Sequence, residues 1–387
     1  MAPLQKIRRY EFDWLRVLAF SLLIFYHTGM FFVSWNWHIK NNVLSETLEW
    51  PMLFLSQWRM SLIFLISGVG VYLAMGFRDS LTFAKDRFKR ILLPLLAGML
   101  LVVPPQVYVE RLAQGQSFGY GAFYLSIFSF QPYPEGNFSW HHLWYLAYIF
   151  TYSLLLLPLL GYLCRHPLRL EGVKSWMLVL LPSLWLGLGE MLLRPHFPAT
   201  NALIDDWANH FLYVSIFLAG FILISSSLLQ EKIRDIRLYS LSLALGLTAV
   251  LYINYWLPDA DPAGYELQVY YLIKSANRWL WLLSILGFAI RYLAVASPHL
   301  KMANEMVYPF YILHQTVIVV LGYFIKDLPW PVFIKFSLLV VLTFLVCYLL
   351  IRCVIMKINI LRVPFGMKAV TPMQAKPVAA KERSLAA

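Results

Sequence analysis

The sequence predicts an all-α, polytopic transmembrane helix bundle of about ten spans, with both termini on the cytoplasmic side. Composition, the grouping of apolar residues and the asymmetry of Lys and Arg predict it. Of 387 residues, 60% are apolar and 13% charged, and mean hydropathy is +0.64. Soluble domains carry about 25% charged residues. The charge here is too sparse for a water-facing surface, and lipid is the solvent that fits.

The apolar residues are grouped in lengths that span a bilayer, which takes about 20 residues per helix. The stretches are 13–34, 52–76, 91–109, 142–163, 176–193, 209–228, 238–257, 269–290, 307–325 and 332–356. Backbone groups in hydrocarbon must be satisfied internally, so these stretches should be helices. The alternation of a transmembrane β-barrel is absent.

The elements follow in order. The first stretch imitates a signal peptide, but its apolar run is too long and lacks a small-residue cleavage site, so it reads as a retained helix. The second carries Ser67-Gly68-Val69-Gly70, a small-residue patch suited to close packing. The third follows the basic segment Arg78–Arg90. Loop 110–141, rich in Gly, Pro and aromatics, has no helical period and is expected to fold over the outer face. The fourth opens on Trp140-His141-His142-Leu143-Trp144-Tyr145. Loops 194–208 (Asp205, Asp206) and 258–268 (Asp259, Asp261, Glu266) bring acidic groups to the outer side. The eighth stretch holds Lys274 and Arg278, spaced to repel unless anions separate them. The ninth holds Tyr308-Pro309-Phe310-Tyr311-Ile312-Leu313-His314-Gln315. Residues 1–367 read as one membrane-embedded domain, and 368–387, rich in Ala, Lys and Pro, as a disordered cytoplasmic tail.

The net charge of +12 could suggest a nucleic-acid partner, but its distribution argues against one. With the N-terminus inside, 24 of the 32 Lys and Arg fall on cytoplasmic segments and 4 on outer loops. That is the positive-inside signature, and it sets the orientation. Cys164, Cys347 and Cys353 form no disulfide framework, and no Cys or His spacing reads as zinc. No metal is expected. Trp35, Trp37, Trp50, Trp58, Trp140, Trp144 and Trp256 cluster at outer helix ends. An interfacial belt explains most of them; Trp140 and Trp144, beside histidines, are candidates for stacking on a sugar.

Ionisable residues inside spans are costly and mark candidate sites. Arg16 and His27 lie eleven residues apart, just over three helical turns, so they share a face at a separation of roughly 16 Å. Asp13 is placed to pair with Arg16. Separately, Arg16 would be a snorkelling anchor and His27 a hydrogen-bonded core histidine; together, at opposite depths and both looking into a shared cavity, they suggest chemistry. Arg87 and Arg90, at i and i+3, can bind phosphate, although inside-positive topology explains their charge equally well. His142, or its neighbour, could approach His27. Tyr311, one turn before His314, could hydrogen-bond it. Walker, HExxH and GxSxG motifs are absent.

At these residues the sequence resembles the integral-membrane acyltransferase-3 family. The matching pieces are Phe12-Asp13-Trp14-Leu15-Arg16 through Tyr26-His27, Phe64 to Gly68, Arg87-Phe88-Lys89-Arg90 with Leu93-Pro94, His142 to Leu146, and Tyr308 to His314. The R-x10-H spacing with an R-x-x-R loop is characteristic of that family. The opening and Trp37-His38-Ile39-Lys40-Asn41 are similar to its glucan biosynthesis protein C branch, whose members are implicated in succinylating periplasmic glucans.

The resemblance implies an acyltransferase in a bacterial cytoplasmic membrane. It would move an acetyl or succinyl group from cytoplasmic acyl-CoA to a hydroxyl of an extracytoplasmic glycan. Arg16, Arg87 and Arg90 would hold the CoA phosphates. His27 would be a general base or carry the acyl group, with Arg16 and His314 in supporting catalytic roles. His142, Trp144 and His38 would meet the acceptor. The competing reading is a transporter or exporter, since intramembrane His, Arg and Lys also serve proton relays; the lack of an internal repeat weighs against it.

Overall fold

The structure is a computed structural model, and it describes residues 8–76 and 78–370. The last part of the expected tail, 371–387, lies outside the described residues. Among those residues the chain is all-helical, with no strand and one isolated bridge, Pro132 to Phe138.

The long helices are α1 (Tyr10–Met30), α2 (Glu46–Met75), α3 (Ser80–Ala113), α4 (His141–Leu155), α5 (Leu157–Arg165), α6 (Ser175–Leu193), α7 (Trp207–Ser225), α8 (Arg237–Trp256), α9 (Gly264–Tyr292), α10 (Pro298–Ile325) and α11 (Val332–Ile355). α4 and α5 bend by 55° just before Pro158, which has no N–H to give the helix. Seven helices are long and apolar enough to cross a membrane, or eight if α4 and α5 form one span. α1 and α9 fall outside that set. They occupy the expected first and eighth spans, but Asp13 and Arg16 in one, and Lys274 and Arg278 in the other, lower their hydropathy.

Several expected boundaries move. α1 ends at Met30, α2 begins at Glu46, and Arg87 and Arg90 lie inside α3, across a π-helical turn at Phe88–Leu92. The loop expected at 110–141 starts later, because α3 runs to Ala113, and it contains a short helix, Tyr120–Ser126.

α1 packs between α2 and α10, α7 lies along α2, and α9 lies against α6 and α8. Glycine allows the α2–α7 approach. A Cβ at Gly68 would sit 1.9 Å from the Phe217 carbonyl oxygen, and one at Gly220 2.1 Å from that of Leu65. This is the close-packing patch expected on α2, matched by a second glycine on its partner. Large apolar side chains such as Leu155, Trp185, Phe324 and Phe333 stay exposed on the outside, as a bundle solvated by lipid requires. Because neighbouring helices alternate in direction, Arg16, Arg87 and Arg90 gather toward one end and His27, His38, His141 and His142 toward the other.

Candidate active site

α1 carries one site residue at each level. Arg16 donates to Asn304 Oδ1 at 3.2 Å and lies 3.7 Å from Asp13, the expected i, i+3 pair. Asn304 of α10 also donates to Asp13, so both helices aim the guanidinium. Gly70 of α2 leaves room beside it. Arg16 lines a cavity of about 580 Å³ together with Arg87, Arg90, Lys301, Asn304, Tyr308 and Lys368. The structure thus brings the three expected arginines into one cavity and adds two lysines. Arg87 is stacked over Phe83 at 4.5 Å, and its Nε has no partner among the described residues.

A second cavity, of about 290 Å³, lies toward the histidine end. His27, His142, Trp144, Arg59, Tyr213 and Arg278 are in its lining. His27 Nδ1 meets His314 Nε2 at 3.0 Å, with the rings stacked. His314 Nδ1 lies 2.7 Å from the Tyr311 carbonyl oxygen. A carbonyl only accepts, so in the neutral imidazole His314 Nδ1 carries the hydrogen and Nε2 is the acceptor. His27 Nδ1 must then donate, which leaves a lone pair on His27 Nε2. Two ordinary helix contacts therefore set the tautomer of a histidine in a cavity wall.

The expected bond from Tyr311 to His314 exists in a different form. The Tyr311 carbonyl accepts from the imidazole, and the Tyr311 hydroxyl donates to the His142 carbonyl at 2.5 Å. His142 Nε2 donates to the Ile312 carbonyl at 2.9 Å, and its ring packs edge-on against His314. Trp144 sits beside Tyr213 with ring centroids 5.7 Å apart. His38 is set apart from this cavity. Its ring nitrogens pair with Glu110 at 2.8 Å and Gln315 at 2.9 Å, and its ring stacks on His141.

The two cavities share no lining residue. Between them stand Phe20, Tyr145 and Tyr311, each ring edge-on to the others at 5.3 to 6.3 Å. Phe20 and Tyr145 face the arginine cavity and Tyr311 the histidine cavity. Tyr145 is held by Ser67 at 2.5 Å. The shared cavity expected for Arg16 and His27 is therefore not found: the two line separate cavities, with this aromatic septum of packed rings between them.

The intramembrane cations differ in how they are compensated. Arg278 pairs with Glu190 of α6 at 3.4 Å and donates to the Gln57 carbonyl at 2.9 Å. Its counter-ion comes from a neighbouring span and not from the acidic loops. Glu190 also takes Arg194 at 2.9 Å. Arg59 has no carboxylate partner among the described residues. Its guanidinium lies 3.2 Å from the centre of the Tyr26 ring, and its buried Nε makes no hydrogen bond.

Glu190, Asn304, Tyr145 and Glu110 were not singled out as site residues from sequence. Glu110 is 2% exposed and accepts from Tyr133 at 2.6 Å. Burial, with the hydrogen bond to Glu110, pushes the Tyr133 hydroxyl well above its usual range, so that phenol remains a donor.

A match to the acyltransferase-3 family, described as an acyltransferase domain, runs over residues 9–352. The chain belongs to the acyltransferase-3 family. As a member it is a multi-pass membrane protein that carries an acyltransferase domain, which weighs against the exporter reading. Glucans biosynthesis protein C of Escherichia coli (strain SMS-3-5 / SECEC) is 26% identical over 152 residues, 38% of this chain and 37% of that protein. The match thus spans little more than a third of the curated relative. No solved structure matches. Arg16 and His27, on which the resemblance of this acyltransferase-3 chain partly rested, line the two cavities described above.

Proposed function

We propose that this acyltransferase crosses the membrane ten times, α1 and α9 included, with the arginine cavity open to the cytoplasm. It binds acyl-CoA there and transfers the acyl group to a hydroxyl of an extracytoplasmic glycan at the histidine cavity. One observation carries the reading: two cavities stacked along α1, the first lined by Arg16, Arg87 and Arg90 and the second by His27. The excess of Lys and Arg near the first cavity supports its cytoplasmic orientation. Guanidinium groups bind phosphate in bidentate fashion, and three of them suit the diphosphate and ribose phosphate of CoA. The pantetheine arm then reaches past the septum, which must open for it.

At the histidine cavity the acceptor hydroxyl attacks the thioester carbonyl carbon as its proton passes to His27 Nε2. The tetrahedral oxyanion collapses, the C–S bond breaks, and the CoA thiolate leaves with the proton returned by His27. General-base catalysis contributes typically 10²–10⁴-fold. His314 holds the tautomer, and Trp144 and Tyr213 offer aromatic faces for a sugar. Arg59, with no carboxylate partner, supports an acyl group ending in a carboxylate, such as succinyl, over acetyl. The similarity to glucans biosynthesis protein C supports a periplasmic glucan as acceptor and the bacterial cytoplasmic membrane as location.

Purified protein in detergent, given succinyl-CoA or acetyl-CoA and a periplasmic glucan, tests this. The expected products are free CoA and a glucan heavier by the acyl mass. CoA release without a modified glucan would reject the acceptor, and no CoA release with either donor would reject the donor site.

A further inference from the structure

We propose that His38, Glu110 and His141 form a binding site for a divalent transition-metal ion of the zinc type. The inference is independent of the acyl-transfer reading. One ring nitrogen each of His38 and His141 and a Glu110 carboxylate oxygen lie within 4.8 Å of one another. Glu110 Oε2 is 2.8 Å from His38 Nδ1 and 3.9 Å from His141 Nε2. Ligands around one tetrahedral zinc stand about 3.4 Å apart, given bonds of about 2.1 Å. Metal binding would open the His38–Glu110 contact by about 0.6 Å, draw His141 toward Glu110 by about 0.5 Å, and bring the two imidazoles, now within 4.8 Å, to that spacing.

The second observation is His141 itself. Its side chain is 3% exposed, and Nε2 has no hydrogen-bond partner among the described residues, although it faces a carboxylate. Its other nitrogen is occupied by Ser139 Oγ at 2.6 Å. A buried imidazole nitrogen is rarely left idle. Glu110 is equally short of a counter-charge. The neighbouring Arg111 turns away to Asn137, Gln114 and the carbonyls of Pro134 and Gly136. The carboxylate therefore has only imidazoles as ionic partners.

Each ligand also has an outer contact on its non-ligating atom, the pattern that orients metal ligands. Tyr133 holds Glu110 Oε1, Ser139 holds His141 Nδ1, and Gln315 holds His38 Nε2. Metal on His38 Nδ1 would place the proton on Nε2, and Gln315 would then present its amide oxygen, a flip that exchanges like-sized atoms. Two imidazoles and one carboxylate favour zinc-class ions over magnesium or calcium. The ion would staple the α1–α2 loop to the end of α3 and the start of α4, one residue from His314 through Gln315.

The test is metal content of tag-free, full-length protein stripped with chelator and reloaded with Zn²⁺ or Co²⁺, with the Co²⁺ visible spectrum as a second readout. One ion per chain is expected to survive desalting, with ligand-field bands from Co²⁺. His141→Ala and Glu110→Gln should lose it, and Tyr133→Phe should weaken it by about 10–100-fold. Wild-type protein that retains no ion overturns the proposal, as does binding that is unchanged in both ligand variants. If His141→Ala elutes as aggregate, Glu110→Gln and the wild-type stoichiometry decide the matter by themselves.

Discussion

His27 Nδ1 and His314 Nε2 are joined by one 3.0 Å hydrogen bond, and the direction of that bond makes the opposite nitrogen of His27 basic. His27→Ala should lower acyl transfer by about 10²–10⁴-fold while the protein still elutes as a monodisperse peak. Near-wild-type transfer by that variant would exclude the base. His314→Ala should cost about 10–100-fold in kcat, the equivalent of a buried hydrogen bond worth about 1–3 kcal/mol. His314→Gln, which keeps an acceptor for His27, should recover part of it, an outcome a purely packing role would not give.

At the other cavity, Arg87→Ala should raise the KM for acyl-CoA by about 10–100-fold, as loss of a hydrogen bond to a charged group does. The KM for the glycan should stay within a factor of two or so. Steady-state kinetics with each substrate varied in turn reads both. An unchanged KM for acyl-CoA would remove Arg87 from the donor site.

Arg59 should discriminate between acyl groups. In Arg59→Gln, transfer from succinyl-CoA is expected to fall by about 10–100-fold, with transfer from acetyl-CoA little altered. The acetyl rate is the internal control for folding. Equal losses with both donors would mean that Arg59 acts on structure and not on an anionic acyl group.

Gly68→Ala should destabilise the bundle without touching either cavity, because its new methyl would overlap the Phe217 carbonyl. Overpacking of this kind costs about 1–3 kcal/mol. Thermal unfolding in detergent should show a clearly lower midpoint, and Gly220→Ala should behave alike. A midpoint matching wild type would mean that α2 and α7 separate easily.

The positions of the helices were legible because each is written locally, as an apolar run bounded by charge or proline. The same local logic put Arg87 beside Arg90, and they do line one cavity; it also put Arg16 and His27 on one shared cavity, and there packing separates them. What was not legible joins residues far apart in the chain. Nothing in the period around Glu190 says that Arg278, 88 residues later, supplies its counter-charge. Nothing around His38 announces Glu110, 72 residues on, so spacing rules for metal sites find no signal there. Arg59 and Arg278 are both cations within spans, and only packing distinguishes the one paired with a carboxylate from the one with none among the described residues. Residue Tyr311 teaches the same lesson at short range, since its backbone took the role expected of its side chain.

The ring trio of Phe20, Tyr145 and Tyr311 has a consequence for the cell's energetics. A catalyst that admits water from both faces of an energised membrane risks becoming a leak, and one elementary charge falling through 100 mV releases about 2.3 kcal/mol. The three edge-on rings stand between the two cavities, across the path that such water would need. On the proposed orientation, the three side chains that a passing thioester has to part are also the ones that would bar a proton leak.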